Sequence, residues 1–348
     1  TEADVFFVEM NGGGGHAYEV CSGTRYASMT ISYLRHPMIR RHFQIILVTL
    51  CSLNVCCAQD DFSWWNKIHG WDGVTPWNRY LTVSAKYLGP NALPVPEIRD
   101  ARIDSFPFIE LLAGGHFSLG DRTLDGNLRL GVPVAAGKVS VEVQVVPCEY
   151  YVTDTVTRDL RASRERDGKG FAFGDIRFAT LIQILRAHDC LPDIELEMAF
   201  RTASGKSLLA ARYTDAPGYH MDLSFGRDFR PEAGFILRAY GLVGYYGYQT
   251  FDPQHLQNDC FLYGIGACIS NADWSWSHQF AGYSGYLENG DRPRLYRSEL
   301  RRKGTVADGL LQVQIGLHDF GYRSVHAGVC WKFWKPAVNQ RTTRKLQR

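Results

Sequence analysis

The 348-residue chain has room for one large domain or two small ones, and its formal net charge of +2 gives no global pull toward nucleic acid. It is 45% hydrophobic and 21% charged, and its 19 Phe, 18 Tyr, 8 Trp and 34 Gly suit many short strands joined by tight turns. Beyond the segment around residue 50 there is no apolar run long enough for a helical membrane span, which leaves the weaker, alternating signal of a barrel open.

Residues 1–37 begin without Met and hold the run Gly12 to Gly15. No Lys-Ser/Thr follows it, so it is not a phosphate loop, and the segment is expected to be an untranslated or unstructured upstream extension. Residues 38–58 read as a secretory signal peptide: basic Arg40-Arg41, an apolar stretch from Ile45 to Leu53, and small residues up to Ala58, with cleavage expected at Ala58/Gln59. The competing reading is a buried helix or strand of a soluble domain. A lipoprotein anchor at Cys56 or Cys57 fits Leu53-Asn54-Val55 poorly. Of nine Cys, five follow the cleavage point (Cys148, Cys190, Cys260, Cys268, Cys330), an odd, scattered set with neither disulfide nor zinc spacing.

Residues 59–107 hold Trp64, Trp65, Trp71 and Trp77, an alternating stretch at 80–88 that reads as a strand, and the Pro-rich run Pro90 to Pro96. A plug or cap with Trp at the membrane interface and a packed N-terminal strap are equally compatible with this pattern.

From 108 to 334 the chain alternates with period two, so successive side chains fall on opposite faces. In 191–202, Ile194, Leu196, Met198 and Phe200 oppose Glu195, Glu197 and Arg201; in 138–146 and 310–318, Val and Leu oppose Glu and Gln. Twelve strands are expected: 108–118, 126–134, 138–148, 171–185, 191–203, 218–227, 233–248, 258–271, 274–287, 293–302, 308–318 and 323–334. Their connections alternate between short turns and the longer stretches 149–170, 204–217 and 249–257. That asymmetry predicts an all-β, antiparallel transmembrane barrel with short periplasmic turns and longer external loops. The basic tail 335–348 is expected to be disordered.

The lumen-lining candidates are Glu142, Arg177, Glu195, Glu197, Arg201, Asp222, Arg238, His318 and His326, in an inward set that also holds Glu110, His116, Arg129, Arg297, Glu299 and Lys332. Acids and bases in similar number either pair and close the barrel or line a wet pore. In the external loop, Arg158, Arg161, Arg164 and Arg166 are candidates for lipopolysaccharide phosphates, against a merely solvated loop. No calcium loop, cofactor motif or catalytic motif is present, and no metal site or catalytic residue is assigned. His220, Asp222 and Ser224 fall in a row on one strand face, and His318 and His326 on neighbouring strands are short of the three ligands a metal site needs.

Gly170-Phe-Ala-Phe-Gly174-Asp175-Ile176 opens a strand after the long loop, and Arg201-Thr-Ala-Ser-Gly205 closes the next. This pair resembles the outer-membrane barrel family named for the phenol meta-degradation pathway, with Thr-Ala-Ser-Gly where that family shows Pro-Thr-Gly. The resemblance covers about 171–205 and implies a channel for small, often hydrophobic compounds. The sequence thus reads as an exported outer-membrane barrel of a Gram-negative cell, a narrow passive channel for small solutes. Its expected partners are outer-membrane lipid, lipopolysaccharide and the barrel-assembly machinery. The alternatives are a closed barrel acting as a lipid-modifying enzyme or structural factor, and a soluble exported β-sandwich.

Overall fold

A computed structural model describes residues 61–229 and 234–333. The signal segment 38–58, residues 1–37 and the tail 335–348 lie outside the described residues.

The period-two pattern becomes thirteen strands in one sheet. They are β1 (Phe108–Ser118), β2 (Asp121–Ala135), β3 (Val139–Thr153), β4 (Lys169–Ala172), β5 (Arg177–Leu185), β6 (Asp193–Arg201), β7 (Gly218–Phe229), β8 (Ile236–Gln249), β9 (Gln257–Ser270), β10 (Trp274–Ser284), β11 (Arg294–Arg302), β12 (Ala307–His318) and β13 (Arg323–Lys332). Apart from β4, each pairs antiparallel with the strands before and after it, and β1 pairs with β13 to close a twelve-strand ring. Closure leaves no free sheet edge, the condition for a β structure to sit in lipid. Even β11, diluted by Arg294, Arg297, Glu299 and Arg301, is fully paired on both sides.

Three stretches differ most from the sequence pattern, the first being β3, which runs on to Thr153 through residues expected to open the external loop 149–170. β2 starts at Asp121, so Leu119-Gly120 alone joins β1 to β2. Asp121, Thr123 and Asp125 imitate a turn in sequence because their polar side chains face inward. The expected strand 171–185 breaks into β4 and β5 because pairing with β3 is irregular over 173–176: Gly174 N–H still reaches Val146 O on β3, while Ile176 N–H is taken by the Thr202 and Ser204 hydroxyls.

The outside of the ring is apolar. Met198, Met221, Val243, Ile265, Phe280, Leu311, Val313 and Val325 are exposed, while their alternate neighbours are inward and largely polar. Around the end where β1 starts, the exposed aromatics include Phe229, Phe235, Trp274, Trp276, Trp331 and Phe333; around the other end they include Phe117, Tyr150, Phe171, Phe178, Phe200, Tyr219, Phe261 and Tyr286. An apolar band between two aromatic girdles, wrapped around a polar interior, inverts a soluble protein and matches a bilayer. The barrel strands run 9 to 15 residues, enough to cross it.

The connections at the end where β1 starts (the turn end) are short. At the opposite, loop end they include 154–176, with the helix α1 of this loop (Thr155–Leu160), and 202–217. Both long loops fold back into the mouth, where Arg161, Arg212 and Tyr213 are buried.

The N-terminal segment fills much of the lumen. A short helix (Ser63–His69) and a 3-10 turn (Trp77–Tyr80) sit at the loop end. No strand forms over 80–88, in contrast to its alternating pattern. Leu81, Val83 and Ala85 alternate there to pack on the wall, and no neighbouring strand offers a ladder. Trp65 is fully buried with its indole N–H on Ala162 O, and Trp64, Trp71 and Trp77 pack on the same cluster, so these rings serve a core rather than the lipid interface. From there the chain runs the length of the barrel and leaves at the turn end to enter β1, marked by Ser84 on Asn289 O, Tyr283 on Leu93 O, Gln279 on Ile98 O and Arg102 on Asp193.

Candidate functional site

The lumen holds both a packed apolar cluster and free space. Leu93, Val95 and Ile98 of the N-terminal segment join Tyr240, Leu242, Leu262, Tyr283 and Leu295 in one buried cluster. The aromatic and aliphatic inward residues of β8 to β11 give that wall its hold, since burying each such side chain contributes about 1.5–3 kcal/mol.

Charged clamps fix the segment farther along. Arg99 forks onto Glu142 with bonds of 2.9 and 2.6 Å and reaches Glu197 at 3.0 Å through Nε. Glu197 also takes Arg177 and lies 3.3 Å from His220 Nε2. Arg201 donates to the Ala92 carbonyl and to Asp175. At the turn end Arg102 and Arg238 share Asp193 and Asp228, and Arg238 also donates to the Asp100 carbonyl. Each of the carboxylates in these clamps has an arginine partner, the condition under which a buried ion pair persists.

Free space remains around the segment, against β1, β2, β12 and β13 and also against inward residues of β5 to β11. A cavity of about 170 Å³ is bounded by Asn91, Arg177, Arg297, Gln312, Gln314 and His326, among others. A vestibule of about 550 Å³ opens toward the turn end. The two share Glu97, Arg99, Glu110, Arg129 and Glu299, so they meet at a neck of alternating charge. There Arg129 lies 2.9 Å from Glu110 and 3.5 Å from Glu97, and Arg301 bonds Glu299 at 3.0 Å. Toward the loop end a fully buried ion cluster narrows the way: Arg212 bonds Asp121 and Glu149 at 2.6 and 2.7 Å, and Arg161 joins on Asp121 and the Tyr322 hydroxyl.

Several buried polar atoms lack a protein partner. Both Glu195 oxygens, Arg129 Nε, and Arg201 Nε and Nη2 have no hydrogen-bond partner among the described residues. Buried groups left this way call for water or a bound polar molecule.

Of the sequence candidates, Glu142, Arg177, Glu195, Glu197, Arg201, Asp222, Arg238 and His326 do point into the lumen. His318 does not. The extra residue that β12 carries opposite Arg294/Leu295 ends the alternation, and His318 sits exposed on the loop-end rim beside Arg292 O and Asp319. It therefore does not meet His326, whose cross-strand partners are Gln312 and Gly114. His220 engages Glu197, and Ser224 donates to Asp222, so the row His220, Asp222 and Ser224 stays a row.

The four loop arginines part company. Arg161 is buried in the mouth cluster; Arg158 stacks on Trp64 and pairs with Asp159; Arg164 lies over the Phe62, Trp65 and Trp77 rings; Arg166 is exposed. The five described cysteines are all free.

Sequence reasoning missed Arg99, Asn91, Asp121, Asp125 and Arg212. The first two lie in a segment with no periodicity, and the rest in stretches that read as loop. The signal for Asp121 and Asp125 was present as the alternation Asp121, Thr123, Asp125 against Arg122 and Leu124.

No family model and no curated protein matches the sequence. Among solved structures, an outer membrane channel from Pseudomonas putida F1 is similar over 68% of this chain and 100% of its own, at 11% identity and a TM-score of 0.47. The transport unit of the autotransporter AIDA-I from Escherichia coli covers 70% of this chain and 95% of its own, at 7% identity and a TM-score of 0.43. The NanC porin covers 65% and 100%, at 11% identity and a TM-score of 0.41. At these identities the likeness is one of fold alone.

Proposed function

We propose that this protein is an outer-membrane barrel of a Gram-negative cell whose lumen is a narrow, guarded passage for small polar solutes. The observation that carries this reading is the charged slot beside the N-terminal segment, a cavity and a vestibule meeting at Glu97, Glu110, Arg129 and Glu299. A barrel meant only to be closed has no use for a lined void, and twelve strands are wide enough to hold one next to a single extended chain. Arg129 and its neighbours offer both signs of charge, so the slot suits small zwitterions or sugars and disfavours apolar cargo. The local resemblance of 171–205 to the phenol-pathway family suggests hydrophobic cargo instead, and the lining argues against that. The mouth cluster of Arg161, Arg212, Asp121 and Glu149 acts as the guard.

The outer girdles contact membrane lipid. Lipopolysaccharide phosphate is left Arg166 as its main partner in the loop, the other three arginines being engaged internally. Recognition by the barrel-assembly machinery through the aromatic end of β13 belongs to the same proposal.

Proteoliposome swelling tests the reading. Liposomes carrying the folded chain should swell in small polar solutes such as glycine or arabinose and stay tight to a trisaccharide. Equal tightness to all of them overturns the passage and favours the closed barrel.

A further inference from the structure

We propose that His116, Asp125 and His326 form a binding site for a first-row divalent transition-metal ion such as Zn²⁺. The three donor atoms lie within 4.8 Å of one another on the inner face of three adjacent strands. The inference is independent of whether the lumen conducts.

The sheet register builds this cluster. Gly114 on β1 stands opposite Asp125 on β2 and opposite His326 on β13. His116 is the next inward residue of β1. A Cβ at position 114 would collide with Asp125 and stand 2.6 Å from His326 Cδ2. The missing side chain is therefore what lets a carboxylate and an imidazole from the two flanking strands lean over β1 and converge on His116. Gly114 need not serve a turn; it sits in mid-strand, where glycine otherwise weakens a ladder and often marks a close approach.

The donors are oriented and partly unsatisfied. His116 Nε2 lies 3.0 Å from Asp125 Oδ2, close to the separation of about 3.3 Å between donors of a tetrahedral ion with bonds of about 2.0–2.1 Å. The other ring nitrogen, Nδ1, lies 2.8 Å from Ser324 Oγ. That hydroxyl can accept from Nδ1–H and so hold the tautomer in which Nε2 presents its lone pair, the usual outer support of a metal-bound imidazole. On binding, the proton between His116 and Asp125 moves to Nδ1, and Ser324 takes it as acceptor. Asn91 of the N-terminal segment donates to Asp125 Oδ2 at 2.7 Å and steadies the carboxylate from the other side. Asp125 Oδ1 and His326 Nδ1 are buried with no hydrogen-bond partner among the described residues, and the Asp125 side chain is only 2% exposed. Closing His326 onto the other two donors is the one adjustment an ion asks for.

The second cluster with ligand spacing, Glu197, His220 and Asp222, shows what a non-site looks like. Two arginines, Arg99 and Arg177, already neutralise Glu197. No arginine pairs with Asp125 among the described residues. Two imidazoles and one carboxylate, with a fourth position open to the cavity that His116 and His326 line, suit zinc, nickel or copper rather than calcium.

The test is equilibrium dialysis of the full, detergent-folded chain, free of any polyhistidine tag, against Zn²⁺ and Co²⁺. One equivalent should bind. His326→Gln and Asp125→Asn should each weaken binding more than tenfold, Gly114→Ala should do the same, and His188→Gln at the exposed turn end should bind like the unaltered chain. Unheated gel migration confirms that each variant is folded. For any variant that fails to fold, pulsed EPR of the Cu²⁺-loaded unaltered chain counts bound imidazoles directly, and two are expected. No binding by the folded chain, fewer than two imidazoles, or undiminished binding by both His326→Gln and Asp125→Asn overturns the site.

Discussion

Arg99 shows how much of this lumen depends on single side chains. Its guanidinium holds Glu142 and Glu197, both nearly fully buried, and ties the N-terminal segment to β3 and β6. Arg99→Ala leaves two buried carboxylates short of their partner, a loss of about 3–5 kcal/mol for a broken buried pair. The segment should then be cut by trypsin far faster than in the unaltered chain, while Arg79→Ala at the loop-end 3-10 turn leaves the rate unchanged. At the loop end, Asp154 caps the helix Thr155–Leu160 by accepting the Thr157 N–H, and that bond, with the Thr157 hydroxyl, holds its carboxyl below the usual carboxylate range. A depressed folded pKa means the cap's contribution is complete above the ordinary Asp value of about 3.9 and is lost as pH falls through the lower folded value. Protease cutting in 155–166 should accordingly rise only in that acidic window, and Asp154→Ala should show the raised rate at neutral pH. At this scale strand parity places most of the predicted acids and bases inward, and it fails at His318, where the bulge in β12 ends the alternation. It did not disclose Asp125 or Asn91, whose partners come from elements far away in the chain.

Strand existence was the most legible property. β1, β7 and β12 begin or end within a residue or two of their alternation because one face meets lipid and the other the lumen, so a slip of one residue would reverse every side chain. The misread stretches are those where side-chain hydrogen bonds override the pattern. Asp175 takes the Gly205 N–H at 2.6 Å and bonds Arg201, locking together the two runs that carry the family resemblance and breaking the ladder between β4 and β5. The two faces of one strand give a sharp prediction. Val313→Arg places a charge on the lipid face of β12 and should cost about 2–4 kcal/mol of folding into vesicles if it lies near the midplane. Gln312→Arg, one residue away on the lumenal face, should cost much less. Urea titration of folding into lipid vesicles measures both.

For the whole molecule, the ring and its lumenal filling differ in how far local sequence determines them. Closure is the pairing of β1 with β13 in a ring of twelve alternating strands, whose loop end carries the long connections 154–176 and 202–217 beside the two-residue Leu119-Gly120. The path of residues 61–107 through that ring follows from no local period; it is set by Tyr and Leu on β8 to β11 on one side and by paired charges on the other. The consequence is a lumen only partly filled, in which a cavity and a vestibule meet at Arg129 between Glu97 and Glu110. That slot is the central claim, and single-channel current across a planar lipid bilayer tests it most directly. The account predicts small, discrete conductance steps for the folded chain, and for Arg129→Ala larger steps with selectivity shifted toward cations. Silence from chain shown to be folded and inserted, or steps indifferent to Arg129, would contradict it.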